Sequence, residues 1–372
     1  MSETIIDADI CIIGAGVVGC AIARELSLKM PAKNIIVAEK LGGAGFETST
    51  KNSGVLHSGI HQNPEFLKSK LAEEGNKLAV QYVKEKGLRM LNCGMLVAVT
   101  FGEILRGLYK EISTLLNLLD NAREQKIPIK FLMPWQVKKI APQIRAIGGI
   151  FIPEARVIDS KEFINSLKND AEAGGVKFLF NSEVHDIKKQ RGDYHVFTTG
   201  NIINTQVVIN SAGLYADDVA NMAGFNGYKV YPWRGEYYEI IGDKRDLVNL
   251  LIYPTVPKDS PSKGIHFGPR VDGRLFIGPN ARPVENKDDY EVDKTPVEVY
   301  LKHARKYFPQ LKREDLRWSY SGIRPKAKEG AEESDFIIKK DSTDPVFINL
   351  IGIDSPGLTA SMAIAKYVYN LL

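Results

Sequence analysis

Apolar and polar positions follow two different periods along this chain, and each change of period marks an element. Residues 7–26, DADICIIGAGVVGCAIAREL, open with a short continuous apolar run. They then pass through a glycine-rich turn into apolar residues at helical spacing. IIVAEK at 35–40 is a second continuous run, closed by an acid. Such runs belong to strands buried on both faces, as in the parallel sheet of an α/β domain. Helical spacing recurs over 65–86, 103–126 and 161–174, with a short helix between prolines over 134–142. VKFLFNSEVHDIKK, YHVFTTG and TQVVINSAG alternate as strands. After Gly224, WRGEYYEIIG and GIHFGPRVDGRLFIGPN read as antiparallel strands covered by a helix at 294–308. The last segment, VFINLIGIDSPGLTASMAIAKYVYNLL, reads as strand, Gly/Ser/Pro turn and helix. Residues 42–64 follow neither period and are rich in Gly, Ser and Thr, which predicts a long ordered loop of the kind that carries function.

Strand–turn–helix units therefore lie at both ends, with a sheet-rich segment between them. The fold class this predicts is α/β: a discontinuous Rossmann-like dinucleotide-binding domain plus an inserted α+β substrate domain with a largely antiparallel sheet. The expected bounds are 1–88, 143–224 and 322–372 for the first domain, and 89–142 and 225–321 for the second.

Gly14, Gly16 and Gly19 form G-x-G-x-x-G between the first strand and helix. The first glycine permits the tight turn, the second lets backbone approach a pyrophosphate, and the third lets helix and strand pack closely. The helix N-terminus presents unpaired N–H groups to phosphate. Glu39 stands about 20 residues on, where a carboxylate can accept ribose hydroxyls.

Composition narrows the function. The chain has 372 residues, room for about two domains, and is 44% hydrophobic and 25% charged. No apolar run reaches the roughly 18–20 residues of a membrane span. The Met1–Asp7 start has no basic segment of a signal peptide. Net charge is +4, mild and interspersed, which does not suit nucleic acid but does suit a small anionic substrate. Cys11, Cys20 and Cys93 make no C-x-x-C and no ligand cluster, so zinc and iron–sulfur sites are not expected and a reducing cytoplasm is.

Several stretches resemble the D-amino-acid-oxidase/glycerol-3-phosphate-dehydrogenase superfamily of FAD enzymes, and most of all its L-2-hydroxyglutarate dehydrogenase/oxidase group. They are the glycine-rich start, NSGVLHSGI (52–60), SAGLYADDVA (211–220), RGEYY (234–238), GIHFGPRVDGRLFIGPNA (264–281), SGIRPK (321–326) and GIDSPGLTASMAIA (352–365). The resemblance covers nearly the whole chain and implies that the dinucleotide is FAD. It implies cofactor contacts at Gly14, Gly16, Gly19, Glu39, Lys40, Ser49, Asn52, Ser53, Gly54, Val184, Ala212, Gly213, Gly322, Ser355, Gly357, Leu358 and Thr359. The helix after GIDSPG is expected to point its N-terminus at the flavin, where a dipole stabilises negative charge.

For the chemistry, the resemblance puts His57 beside the flavin and His266 on its substrate face. A neutral imidazole suits removal of a hydroxyl proton, so His266 is the expected base and His57 its competitor. Arg324 is expected to grip a substrate carboxylate with its guanidinium fork. His61, Tyr237 and Lys326 are candidate substrate contacts, and Arg234 a weaker one. The plainer reading of each is a loop or strand residue satisfied by its neighbours. Asp217 and Asp218 read as first-turn helix acids.

The implied reaction is oxidation of a 2-hydroxy acid to the 2-keto acid by hydride transfer to flavin. Glycerol-3-phosphate dehydrogenase is the alternative. His61 departs from both patterns, standing where the L-2-hydroxyglutarate group tends to carry a tyrosine and glycerol-3-phosphate dehydrogenases an arginine; against the alternative, the chain stops soon after the flavin helix. Amino-acid or amine oxidation, and a non-catalytic flavin-binding role, are further alternatives. The electron acceptor (quinone, oxygen or a carrier protein) leaves no mark in the sequence. Quinone would require peripheral docking at a membrane.

Overall fold

The computed structural model describes residues 4–256, 264–330 and 332–372, with only the backbone of 101–112; Met1–Glu3 of the chain's start lie outside it. Thr4–Ile13 forms the central strand. It pairs in parallel with Ile35–Ala38 on one side and Asn201–Asn210 on the other. Lys177–Leu179 extends the sheet beyond Ile35–Ala38, and Val346–Ile351 adds in parallel to the second half of Asn201–Asn210. A hairpin of Val184–Gln190 and Asp193–Thr198 pairs antiparallel with the first half of the same strand.

The continuous apolar run works on both faces. Ile10 and Ile12 pack with the helices Val17–Lys29, Ser160–Ala173 and Gly357–Tyr369. Cys11 and Ile13 face the opposite core with Val184, Val208, Val219 and Phe347. Cys11 and Cys20 are both fully buried, the small-hydrophobe role.

A second sheet has Leu316–Lys326 along one side of Tyr231–Ile240 and Leu275–Gly278 and Arg282–Pro283 along the other. It continues through His266–Pro269, Leu251–Pro254, Met95–Val99, Gly148–Ile152 and Lys130–Leu132. All its pairings are antiparallel except that of Leu251–Pro254 with Met95–Val99. Helix Val297–Tyr307 covers one face, burying Tyr300, Leu301, Ala304 and Tyr307.

Strand pairing crosses the expected domain bounds at several places. Gly148–Ile152 was assigned to the first domain, yet it pairs with Met95–Val99 in the second sheet. The bound at 322 falls within the continuous strand Leu316–Lys326. The bound at 88 is blurred as well, because Met90–Leu91 joins Val55–Leu56 and Arg156–Ile158 in a small third sheet. Alternation is a local signal, whereas the choice of partner strand depends on contacts far along the chain.

The loop at 42–64 is held between the second sheet and the last helix. Thr48 Oγ1 donates to the Ile323 carbonyl at 2.8 Å. The His57 N–H donates to Thr359 Oγ1 at 3.0 Å, and Asn76 Nδ2 to the His57 carbonyl at 2.9 Å. Gly322 permits the closest approach, since a Cβ there would lie 2.0 Å from the Lys51 carbonyl oxygen. Among the described residues no helix is long and apolar enough to cross a membrane.

Candidate active site

One cavity of about 870 Å³ runs from the glycine-rich turn, along the 42–64 loop, to the N-terminus of the last helix and the face of the second sheet. At its first end Gly14 has φ of +97°, and a Cβ there would meet the Ser211 carbonyl at 2.7 Å. A Cβ on Gly19 would come within 1.9 Å of the Gly14 carbonyl oxygen, so only glycine lets helix and turn pack this closely. Ser49 Oγ accepts from the Val17 N–H at 3.0 Å. The Glu39 carboxylate accepts from the N–H groups of Ala15 at 2.7 Å and Leu41 at 2.9 Å, while burial pushes its pKa up. Lys40 lies 2.9 Å from Glu47 and over the Tyr215 ring.

The other end is built of rings and cations. His57, His61, Tyr237, Tyr253, His266 and Arg324 all line it. Tyr253 lies face to face on His266, with ring centroids 4.0 Å apart and planes 11° apart, and His61 also stacks with Tyr253, centroids 5.5 Å and planes 26° apart. The Tyr253 hydroxyl is 3.2 Å from His266 Nε2. With the rings nearly parallel, that hydroxyl sits above the imidazole and not along the in-plane nitrogen lone pair. Nδ1 faces the Gly264 carbonyl at 3.4 Å, which favours the proton on Nδ1 and leaves Nε2 as the acceptor. Burial, reinforced by His57, Arg324 and Arg270, holds the His266 pKa down at about 3 against the lifting effect of the Gly264 carbonyl. The ring is therefore neutral.

Arg324 donates to the Asn280 carbonyl at 3.3 Å. Among the described residues no carboxylate is within ion-pair distance of it. Gly235 makes its room, because a Cβ there would lie 2.8 Å from both terminal guanidinium nitrogens. The β-strand period sorts the rest of RGEYY. Gly235 and Tyr237 line the cavity, while Arg234 points away and is fully buried against Glu236 at 3.2 Å and Asp289 at 2.5 Å. The weaker candidate Arg234 is thus a structural residue.

Most residues expected from the sequence line the cavity, but some do not act as expected. Gly19 and Gly54 do not line it: their missing side chains face the Gly14 and Ile158 carbonyls. The Lys326 ammonium donates to the carbonyls of Gly330 at 2.7 Å and Glu332 at 2.9 Å, so its own loop occupies it. Asp217 is more than a first-turn acid; it accepts from the Val230 N–H at 2.8 Å and from Lys287 at 2.7 Å.

Four residues escaped the sequence reading. Tyr253 shares the ring stack. Lys68, almost fully buried, lies 3.2 Å from Asp354 beside the last helix. Burial raises the pKa of Asp354, opposed chiefly by Lys68. Arg270 donates to the Asn52 carbonyl at 2.5 Å and to the Tyr320 hydroxyl. Only Arg270 and Asp354 stood inside stretches already picked out.

A Rossmann-type turn with an acid after the second strand, opening into a cavity that holds a neutral His266, stacked rings and an arginine without a carboxylate partner among the described residues, defines a dinucleotide-dependent oxidoreductase. The chain belongs to the DAO family, FAD dependent oxidoreductases, whose model matches residues 9–371. It is 31% identical over 367 residues to a glycerol 3-phosphate dehydrogenase of Caloramator mitchellensis, covering 98% of this chain and 73% of that one. It is 29% identical over 411 residues to the mitochondrial L-2-hydroxyglutarate dehydrogenase of Arabidopsis thaliana, covering 97% and 83%. Among solved structures, dithionite-reduced L-alpha-glycerophosphate oxidase from Mycoplasma pneumoniae with FAD bound matches with a TM-score of 0.88 and 29% identity, over 99% of this chain and 95% of that one. The cofactor is FAD and the protein a FAD-dependent dehydrogenase or oxidase.

The residues present fit that cofactor. Gly14 and Gly16 line the cavity with bare backbone, and the same cavity reaches from that turn to the start of the last helix.

Proposed function

We propose that this enzyme oxidises a small 2-hydroxy acid of the L-2-hydroxyglutarate kind to the 2-keto acid. One observation carries the reading: Arg324 lines the cavity with no carboxylate within ion-pair distance among the described residues, in the company of the buried His57 and the neutral His266. Arg324 is half-buried, and a substrate carboxylate would satisfy its guanidinium fork bidentately.

FAD, when bound, supplies a two-electron acceptor. Gly14, Gly16 and Glu39 would hold its nucleotide end. Lys40, Ser49, Asn52, Ser53, Val184, Ala212, Gly213 and Gly322 would line its path, and Ser355, Gly357, Leu358 and Thr359 would face its ring. Arg324 holds and orients the substrate anion. His266 Nε2 takes the hydroxyl proton, with His57 as the competing base. His61 and Tyr237 pack about the substrate carbon chain and exclude water. An anion on Arg324 also removes one of the positive charges that depress the His266 pKa, so substrate binding itself strengthens the base. The division into two units, with the 148–152 strand moved to the substrate unit, is part of the same proposal.

Glycerol 3-phosphate is the second reading, favoured by the relatives with that activity in their names at 31% and 29% identity. An arginine fork accepts phosphate as readily as carboxylate. The deciding experiment is an anaerobic panel of 2-hydroxy acids, glycerol 3-phosphate and amino acids, followed at the flavin absorption band. Bleaching by L-2-hydroxyglutarate or a close homologue is expected. Bleaching by glycerol 3-phosphate alone would overturn the first reading in favour of the second.

A further inference from the structure

At the far edge of the second sheet the chain places large apolar side chains in solvent. Phe131 is 62% exposed, Met133 50% and Trp135 61%, three within five residues. Ile140 and Ile147 are also exposed and flank them in sequence. Phe131 lies on Lys130–Leu132, the last strand of the sheet, and Trp135 on the helix Pro134–Ile140 that follows. Helical spacing puts Lys138 and Lys139 on the same outward side as Trp135, while Val137 is fully buried beneath. The Gln136 side chain turns back to accept from the Met133 N–H at 2.9 Å, so it offers no polar cover to the tip.

Charge sets this surface apart. Residues 125–147 hold Lys126, Lys130, Lys138, Lys139 and Arg145 and no acid. The whole chain has 49 Lys and Arg against 45 Asp and Glu, so everything outside that segment nets to −1. All five cations are exposed, the Lys138 ammonium also donating to the Pro142 and Ile144 carbonyls at 3.1 and 2.9 Å.

We propose that this edge docks the enzyme on an anionic lipid surface. Aromatic and thioether side chains enter the headgroup boundary and the surrounding lysines and arginine meet lipid phosphates. The chemistry favours lipid over a protein partner: lysine is depleted at protein interface cores, whereas here cations are interleaved with the apolar residues. The inference does not depend on which substrate the enzyme oxidises.

The test is co-sedimentation of the full-length holoenzyme with vesicles of phosphatidylcholine alone, and with vesicles of phosphatidylcholine and phosphatidylglycerol in equal parts. Binding to the mixed vesicles at low salt is expected, weakened by salt and at least about tenfold weaker on phosphatidylcholine alone. Phe131→Ser combined with Trp135→Ser should cut binding by at least about tenfold, as should Lys130→Glu combined with Lys139→Glu. Flavin content and anaerobic bleaching should stay at wild-type levels in both. Trp135 is exposed, Trp233 is buried and Trp318 packs partly buried against the core of the second sheet, so vesicles should shift the emission of the wild type to the blue and leave Trp135→Phe unmoved. Absence of vesicle binding at low salt, or full binding by the Phe131/Trp135 variant, overturns the proposal. A concentration-dependent dimer in light scattering that the same variant abolishes also overturns it, and gives the face to a second copy of the chain.

Discussion

In the proposed reaction Arg324 and His266 divide the chemistry at the scale of single residues. Removing one partner of a buried charged contact costs about 2–5 kcal/mol. Arg324→Ala should therefore slow flavin reduction by at least about 30-fold, read by rapid mixing with substrate under anaerobic conditions. His266→Ala should retain FAD and lose roughly 10²–10⁴ in the same step, and a wild-type rate there would hand the proton to His57. The His266 pKa also makes a stability prediction. In the native protein it is held at about 3 by burial, against the ordinary value of 6.5 in the unfolded chain. Between those values the unfolded state binds the extra proton, so this contribution is complete above about pH 6.5 and is lost as pH falls towards about 3. The slope of melting temperature against pH in that window should be shallower in His266→Gln than in the wild type. An unchanged slope would mean that other groups carry it.

Among the elements, the first turn and helix bear the tightest steric demand. A Cβ on Gly19 would lie 1.9 Å from the Gly14 carbonyl oxygen and 2.8 Å from Ser211 Oγ. Gly19→Ala should cost about 1–3 kcal/mol through overpacking and displace the turn that carries the nucleotide site. Calorimetry should show a lower melting temperature and absorbance a lower flavin content. Glu39→Arg tests the other half of the motif: it removes the acceptor of the Ala15 and Leu41 N–H groups and leaves a cation in its place. A colourless protein that added FAD does not restore is the expected outcome. This motif was legible because it is local, with strand, turn, helix and acid all falling within about 30 residues as the βαβ unit requires. RGEYY was half legible. A period of two said that only some of its residues face the site, but which ones depended on the antiparallel register with Leu316–Lys326.

Taken whole, the molecule clamps the 42–64 loop between the second sheet and the last helix. Gly322 on the long edge strand meets the Lys51 carbonyl, Thr48 bonds Ile323, and Thr359 on the last helix holds the His57 backbone. Gly322→Ala would force the strand off the loop. It should lower both melting temperature and FAD retention without touching a catalytic side chain, and normal retention with only a lower melting temperature would confine the clamp to stability.

The amino-acid sequence was enough for the α/β class, the three glycines, Glu39, and the order of strand–turn–helix units at both ends, because each depends on contacts short along the chain. The site itself came only with tertiary structure. His61, Tyr253 and His266 stack although the first stands some 190 residues from the others. Lys68 meets Asp354 at |i−j| of 286, and Lys326 lends its ammonium to its own loop instead of to the cavity. The membership of Gly148–Ile152 in the second sheet was likewise decided by pairing with Met95–Val99. Residue type and spacing state what a side chain can do; which neighbours use that capacity is settled when distant strands and loops pack into a single dense interior, where each polar group takes the partner that burial leaves within reach.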